Sequence, residues 1–400
     1  MKTKQNYTNT ILLLTTVTAV AVDISIPVLV EVAEYFSQNK GHSQRIIIAF
    51  LMGYGVSMLP YGLLSDRYGR LPITYIGITI YSIAGVLSAL SNSFDMLLCM
   101  RFFQGLGGGV GPVNARAIAR DMYSGKQLSR MMSSIVAALG IAPILSPILG
   151  NFLNNSFGWR SVLLFPPFLG VLVIIGLLLT AYETKKQEQN LVTARIKLVK
   201  SFKIFWASKQ SIWALFIITI AFSGYQIIQV SASLLMSEIY KIPTKYIGYI
   251  FGPTAGIMTL MTLYNRKKVR TKSSFQLLQY GIICSFISAI GLLICSFSTS
   301  SVPFAILWAF FVLYIAGIGF IFSNTSSIAL EPLSAIAGLA SSLYGTIMIL
   351  GASIATSVAS SYYDKSITSI SYGIIFCGFT TILIYALGKL LLKQSNPKTY

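Results

Sequence analysis

Long apolar runs, separated by short polar or Gly/Pro/Ser-rich breaks, follow one another along almost the whole chain. Each is about 20 residues long, the length that a helix needs to cross a hydrocarbon core of about 30 Å. The ~10-residue alternating strands of a membrane barrel do not recur. We place twelve spans at residues 9–35, 45–64, 72–91, 94–119, 127–153, 160–181, 211–236, 245–265, 274–297, 301–324, 333–360 and 369–392. The pattern predicts an all-α integral membrane protein with twelve transmembrane helices.

The longest polar interruption divides these spans into six and six. It covers residues 183–210, carries seven basic side chains, and predicts two six-helix bundles, residues 1–182 and 211–400, joined by a basic cytoplasmic linker. Six plus six spans are typical of transporters with a site near the bilayer midplane. Within the linker, residues 196–203 form an amphipathic run. It could lie on anionic headgroups, or it could be a solvated connection.

Composition and charge agree with a membrane protein and set its orientation. The chain is 54% apolar and only 10% charged, against about 25% charged in soluble domains. The net charge is +19. With the N-terminus in the cytoplasm, 22 of the 30 basic residues fall on the cytoplasmic side and six outside. Basic loops stay inside, so both termini are expected to be cytoplasmic. No soluble domain exists to carry a nucleic-acid-binding face.

Residues for other kinds of chemistry are missing from the sequence. The four cysteines fall inside spans without metal-ligand spacing, and the single histidine, His42, lies in an outer loop. We find no metal cluster, nucleotide-binding loop or catalytic triad pattern, and so expect no cofactor and no metal. The chain is therefore expected not to be an enzyme. A polytopic membrane enzyme or sensor remains the less favoured alternative.

The most specific motif follows span 2, where the sequence reads Gly-x-x-x-Asp-Arg-x-Gly-Arg. Its glycines would allow close helix approach and a tight turn. Its charges lie at the cytoplasmic rim, where span 4 also ends. We interpret this group as a conformational latch whose ion pairs form in one state and break in another. The alternative is ordinary positive-inside charge. The latch residues are Gly62, Asp66, Arg67, Gly69, Arg70, Arg116, Arg120 and Asp121.

Span 5 contains two prolines four residues apart, Pro143 and Pro147, between Gly140 and Gly150. Proline removes a backbone donor and bends a helix, and glycine permits tight packing. The pattern predicts a kinked helix with a close neighbour. An ordinary membrane-helix kink is the simpler alternative.

These two motifs resemble the signatures of major facilitator superfamily drug antiporters. Three further segments narrow the resemblance to the Bcr/CflA branch: residues 23–27 (DISIP), 101–107 (RFFQGLG) and 115–121 (ARAIARD). The resemblance implies the major facilitator fold and proton-driven export of small molecules such as bicyclomycin, chloramphenicol and sulfonamides from the bacterial inner membrane. Two positions depart from the pattern, because Leu71 stands where a basic residue is usual and Ser25 where an aromatic residue is common.

Two ionisable residues lie deep in the predicted spans. Asp23 is about 22 Å up span 1 from the inside, and Arg101 is about 10 Å below the outer surface in span 4, at 1.5 Å per residue. In a core of about 30 Å they fall at nearly the same depth. A charge there is costly, so each is expected to face a cavity or the other. Asp23 is the only deep acid, which makes Asp23 and Arg101 the candidate proton-coupling residues. A purely structural ion pair is the alternative.

Candidate substrate contacts are less specific, because single polar or aromatic residues in spans more often join helices. An apolar cavity with a few such groups would suit an amphiphilic small molecule. The candidates are Tyr54, Tyr61, Gln104, Asn114, Tyr225, Gln226, Gln229, Asn324 and Tyr344.

Together these observations predict a secondary active transporter: a proton-coupled exporter of small amphiphilic molecules or drugs that works by alternating access. Its expected partners are the substrate, protons and the lipid bilayer, and we expect a monomer. A dedicated metabolite or siderophore carrier of the same fold remains open.

Overall fold

The computed structural model describes residues 2–184, 191–297 and 302–395, and these residues contain helices and no strand. The first half comprises α1 (Lys2–Asp23), α2 (Leu29–Tyr35), α3 (Arg45–Tyr68), α4 (Arg70–Ala89), α5 (Phe94–Gly108), α6 (Val110–Met122), α7 (Gly125–Phe157) and α8 (Trp159–Thr180). The remainder comprises α9 (Leu191–Ala207), α10 (Lys209–Leu234), α11 (Thr244–Lys268), α12 (Ser274–Ser296), α13 (Phe304–Leu330), α14 (Ala337–Ser361) and α15 (Ile367–Ser395). The predicted all-helical class is confirmed.

Within the described residues, ten helical segments are long and apolar enough to cross a membrane. The difference from twelve predicted spans has two causes. Span 4 is divided at Gly109 into α5 and α6, and each piece is short. Spans 10 and 11 are joined through the 3-10 turn Glu331–Ile336 into one stretch, Phe304–Ser361. Positions 185–190 of the predicted linker, and the side chains of its amphipathic run before residue 199, lie outside the described residues.

Span 1 is broken in the middle, where the sequence predicted one continuous helix over 9–35. α1 ends at Asp23, a 3-10 turn covers Ile26–Val28, and α2 follows. Pro27 has no amide hydrogen to donate to the carbonyl four residues earlier, which is that of Asp23. The Ser25 hydroxyl donates to the Val22 carbonyl at 2.8 Å. The prediction of one continuous helix was wrong, because Pro27 interrupts the hydrogen bonds of the helix.

Contacts between Cα atoms divide the chain into two units. The first is Met1–Leu191 with Ile242–Gly252, and the second is Val192–Lys241 with Pro253–Tyr400. In the first unit α1 packs on α6, α7 and α8, and α4 packs on α5 and α8. In the second, α10 packs on α13, α14 and α15, and α12 packs on α13 and α15. The two packing patterns correspond: spans 7 and 9 of the second unit pack on spans 10–12 as spans 1 and 3 of the first pack on spans 4–6.

Glycines set the tightest helix contact of the first unit, between α3 and α5. A side chain added at Gly53 would collide with the Phe102 carbonyl, and one added at Gly105 would collide with the Phe50 carbonyl. Both obstacles are backbone atoms, which cannot move aside without moving a helix. The packing of α5, which carries Arg101, therefore depends on these two glycines.

We predict that Gly105→Val will lower the thermal midpoint of the purified protein in detergent. Overpacking a tight contact costs about 1–3 kcal/mol, and here the obstacle is backbone. Cys99→Val is the matched control, because Cys99 lies on the same helix and is exposed. Equal midpoints for the two variants would contradict this account of the α3–α5 contact.

Candidate functional site

The side chain of Arg101 is completely buried in the first unit. Its Nη1 donates to Gln104 Oε1 at 2.8 Å, and its Nη2 donates to the Ala21 carbonyl at 3.1 Å and the Ser25 hydroxyl at 3.4 Å. The guanidinium carbon lies 4.8 Å from the centre of the Phe50 ring. The cation is thus held by a neighbouring amide, by the end of α1 and by an aromatic face.

The end of α1 is well suited to a buried cation. The last carbonyls of a helix have no intrahelical partner, and that end carries partial negative charge. Because α1 stops at Asp23, the Ala21 carbonyl belongs to this last turn. The break in span 1 therefore supplies the acceptors that Arg101 needs. Ser25, a departure from the family pattern, supplies one of them.

Asp23 ends α1 and lies between Ala21 and Ser25, the two positions of span 1 that Arg101 contacts. It is only 3% exposed. The structure thus brings Arg101 to the segment around Asp23. α7 packs closely against the break in span 1. A side chain added at Gly150 would collide with the Ile24 carbonyl. The segment from Ala21 to Ser25 therefore contains Asp23 and is contacted both by Arg101 and by α7 at Gly150.

The span 5 motif lies in the middle of α7, with Pro143 and Pro147 inside the helix. The side facing the start of α11 is closely packed. A side chain at Gly248 would collide with the Pro147 carbonyl, and the Asn151 side-chain amide donates to the Lys245 carbonyl. Gly140, at the other end of the motif, is half-buried. The motif thus contacts the segment after α1 through Gly150 and the first residues of α11 through Pro147.

Arg70 is the centre of the motif that follows span 2. Its Nη1 lies 2.7 Å from Asp66 Oδ1, and its Nε lies 3.0 Å from Asp121 Oδ2. Its Nη1 also donates to the Ser65 hydroxyl at 2.9 Å. The Arg70 side chain is 9% exposed, whereas that of Asp66 is 54% exposed. The predicted charges of spans 2 and 4 are therefore joined through one buried arginine.

Glu183 also belongs to this cluster, although the sequence did not predict a role for it. Its Oε1 and Oε2 accept hydrogen bonds from the amides of Arg70 and Leu71, both at 3.0 Å. These amides begin α4, where a carboxylate is stabilised by the unpaired donors and the helix dipole. Gly69 makes the turn with φ +100°, and a side chain there would lie 2.8 Å from Glu183 Oε2. Glu183 therefore links the residues after span 6 to the motif that follows span 2.

The other predicted latch residues differ in their exposure. Arg67 is exposed and stacks on the Tyr68 ring at 4.8 Å. Arg120 is exposed and Arg116 is half-buried. Gly62 is half-buried, and its carbonyl accepts a hydrogen bond from Ser65.

The candidate substrate residues of the first unit divide into two groups. Gln104 and Asn114 are fully buried and bonded to protein: Gln104 to Arg101, and Asn114 to the Arg70 carbonyl and the Thr74 hydroxyl. These two side chains connect elements of the site. Tyr61 is 6% exposed and Tyr54 is half-buried.

The candidates of the second unit are also buried. Asn324 donates to Asn265 Oδ1 at 2.7 Å, and the Tyr344 hydroxyl donates to Thr325 at 2.9 Å. Tyr225, Gln226 and Gln229 lie on α10 and are at most 6% exposed. Within the described residues, no group of three His, Cys, Asp or Glu side chains could hold a metal ion.

Similar proteins agree with this architecture. The chain is 27% identical to a bicyclomycin resistance protein homolog of Haemophilus influenzae, over 86% of each chain. It is 26% identical to multidrug resistance protein D of Escherichia coli, over 89% of each. Among solved structures, the partially occluded inward-open xylose transporter XylE of E. coli has the same fold. Its TM-score is 0.75 at 16% identity, covering 96% of this chain and 97% of that one.

The family model of the major facilitator superfamily matches residues 11–356, which is most of the chain. The predicted family, fold and transport function are confirmed, and the protein is a transporter of small molecules rather than an enzyme. This multi-pass membrane protein belongs to the major facilitator superfamily.

Proposed function

We propose that this protein exports small amphiphilic molecules or drugs in exchange for protons. The observation that carries the proposal is Arg101, a completely buried cation bonded to the broken end of α1 on both sides of Asp23. A buried charge in a membrane protein is costly and marks an ion or substrate pathway. The names of the bicyclomycin and multidrug resistance relatives support export of drugs.

The proposed topology places the chain in the bacterial inner membrane, as a monomer with both termini in the cytoplasm. The excess of basic residues on that side supports it. In this topology the Arg70 cluster lies at the cytoplasmic rim and acts as the latch. Transport then follows alternating access, with the substrate bound near the depth of Asp23 and Arg101.

The test of this function is a transport assay in everted vesicles that contain the protein. Dissipation of the proton gradient is scored when bicyclomycin or other candidate compounds are added. Export by proton exchange predicts dissipation that depends on the protein and on the compound. A dedicated metabolite or siderophore carrier is the second candidate, and it predicts a response to such a metabolite with none to drugs.

We predict that Asp23→Asn will abolish pH-driven efflux while substrate binding or exchange continues. The amide imitates a protonated carboxyl but cannot release a proton. Efflux and exchange are measured in the same vesicles. Asp95→Asn is the matched control, since Asp95 is an exposed acid on α5. Full pH-driven efflux by Asp23→Asn would show that Asp23 is structural.

We predict that Arg101→Ala will damage transport more than Arg101→Lys. Alanine removes the hydrogen bonds of both Nη atoms, and bonds to a charged group contribute about 1.5–3 kcal/mol each. Lysine keeps the charge but not the planar donor geometry. Initial efflux rates, normalised to protein that elutes as a single folded species, provide the measurement. Equal activity of the two variants would show that Arg101 is not a bonding partner.

We predict that Asp66→Asn will impair turnover while the protein still inserts and folds. Asp66 is half exposed, and an exposed ion pair adds only about 0–1 kcal/mol to stability. We therefore expect the ion pair between Asp66 and Arg70 to affect the change between conformational states more than stability. Turnover and thermal midpoint are compared with those of Asp95→Asn, the same change at an exposed acid on α5 that is not a latch residue. Normal turnover by Asp66→Asn at normal expression would contradict the latch.

A further inference from the structure

A groove in the second unit is not used by the proposed transport mechanism. It lies between α10, α14 and α15, near the loop that joins α14 to α15, and has a volume of about 590 Å³. This is within the range of about 300–1,000 Å³ that ligand sites occupy. Its lining includes Ile220, Ile227, Ala355, Tyr372, Phe376 and Cys377. The lining is mostly apolar and therefore suits a hydrocarbon.

The groove is open at the surface and closed at its base. Tyr372 and Phe376 at the rim are 58% and 66% exposed, whereas Ile227 and Cys377 are each 3% exposed. Ser223 also lines it, but its hydroxyl donates to the Thr219 carbonyl of its own helix at 2.7 Å. A chain that enters from the surrounding lipid thus meets an apolar base without an unsatisfied hydroxyl.

The length of the groove matches one leaflet of a bilayer. Its lining on α15 runs from Thr368 to Cys377. At 1.5 Å per residue this distance is about 14 Å, close to half of a hydrocarbon core of about 30 Å. The upper end of the groove lies at the end of α15 that is remote from the C-terminus. In the proposed topology, this is the outer leaflet.

Asp364 provides a carboxylate at the upper end of the groove. Asp364 lines the groove and lies in the loop between α14 and α15. Its Oδ1 accepts hydrogen bonds from the amide and the hydroxyl of Ser366, at 3.0 and 2.5 Å. Hydrogen bonds from the side chains of Ser366 and Ser369 lower the pKa of Asp364, so the group is anionic at neutral pH. The neighbouring Lys365 is exposed.

We propose that this groove binds one acyl chain of a bilayer phospholipid whose headgroup carries an ammonium, with the ammonium beside Asp364. Charge complementarity and the match to one leaflet select this occupant. Lys365, in the same loop, offers a cation for the phosphate of the headgroup. The bound lipid then forms part of the packing between α14 and α15 and is not cargo.

The test uses full-length protein in vesicles that contain phosphatidylethanolamine with a photoreactive group in the acyl chain. After illumination, peptide mass spectrometry compares labelling of the groove helices with labelling around Leu178 and Leu179, which are 70% and 77% exposed in the first unit. The proposal expects labelling concentrated on α10, α14 and α15. Labelling in proportion to exposure alone would overturn it.

Two substitutions separate the chain site from the headgroup site. Ala355→Phe fills the groove and should abolish the enriched labelling, whereas Ile354→Phe, at an exposed neighbour outside the lining, should leave it unchanged. Asp364→Asn keeps the Oδ1 acceptor and removes the charge. It should reduce the preference for phosphatidylethanolamine over phosphatidylglycerol by about two- to fivefold, the range of an exposed ion pair.

The results that contradict the proposal are distinct. Equal labelling of Ala355→Phe and Ile354→Phe would show that no chain enters the groove. An unchanged headgroup preference in Asp364→Asn would show that Asp364 does not contact the headgroup. Loss of the label on addition of a single-chain alkylammonium compound that the protein transports would assign the groove to cargo instead.

Discussion

The arrangement of the first unit depends on the cost of burying the Arg101 cation. An unsatisfied charge in this position would not be tolerated. The protein satisfies it by ending α1 early, so that the Ala21 carbonyl and the Ser25 hydroxyl face the guanidinium. Gln104 and the Phe50 ring add further contacts. Among the described residues, the buried Nε of Arg101 has no hydrogen-bond partner. The glycine contacts between α3 and α5 fix the Phe50 ring relative to Arg101 and Gln104.

The helices α5 and α6 connect the Arg101 site to the cluster around Arg70. α5 carries Arg101 and continues past Gly109 as α6, which carries Asn114 and Asp121. Asn114 donates to the Arg70 carbonyl, and Asp121 pairs with the Arg70 side chain. Displacement of α5 or α6 at one end would therefore reach ion pairs at the other. This is a physical route by which the site around Asp23 and the Arg70 cluster can influence each other.

The sequence predicted the fold well because a bilayer leaves few choices. Every backbone group in the hydrocarbon must be bonded internally, so apolar runs of sufficient length become helices. Asp23 and Arg101 could be selected because charges are rare in spans, and Arg70 and Asp66 because their motif is specific. The break at Asp23 was missed, although Pro27 signals it. The role of Glu183 could not be found from spacing, since it depends on a contact across 113 residues.

The most direct measurement of the central claim is proton release when substrate binds to the purified protein in detergent. A pH-sensitive dye in weakly buffered solution reports it, and binding is measured in parallel. The account predicts that the wild-type protein releases protons on addition of a transported compound and that Asp23→Asn binds the compound without release. Equal proton release from both proteins would contradict the assignment of Asp23 as the group that exchanges a proton for substrate.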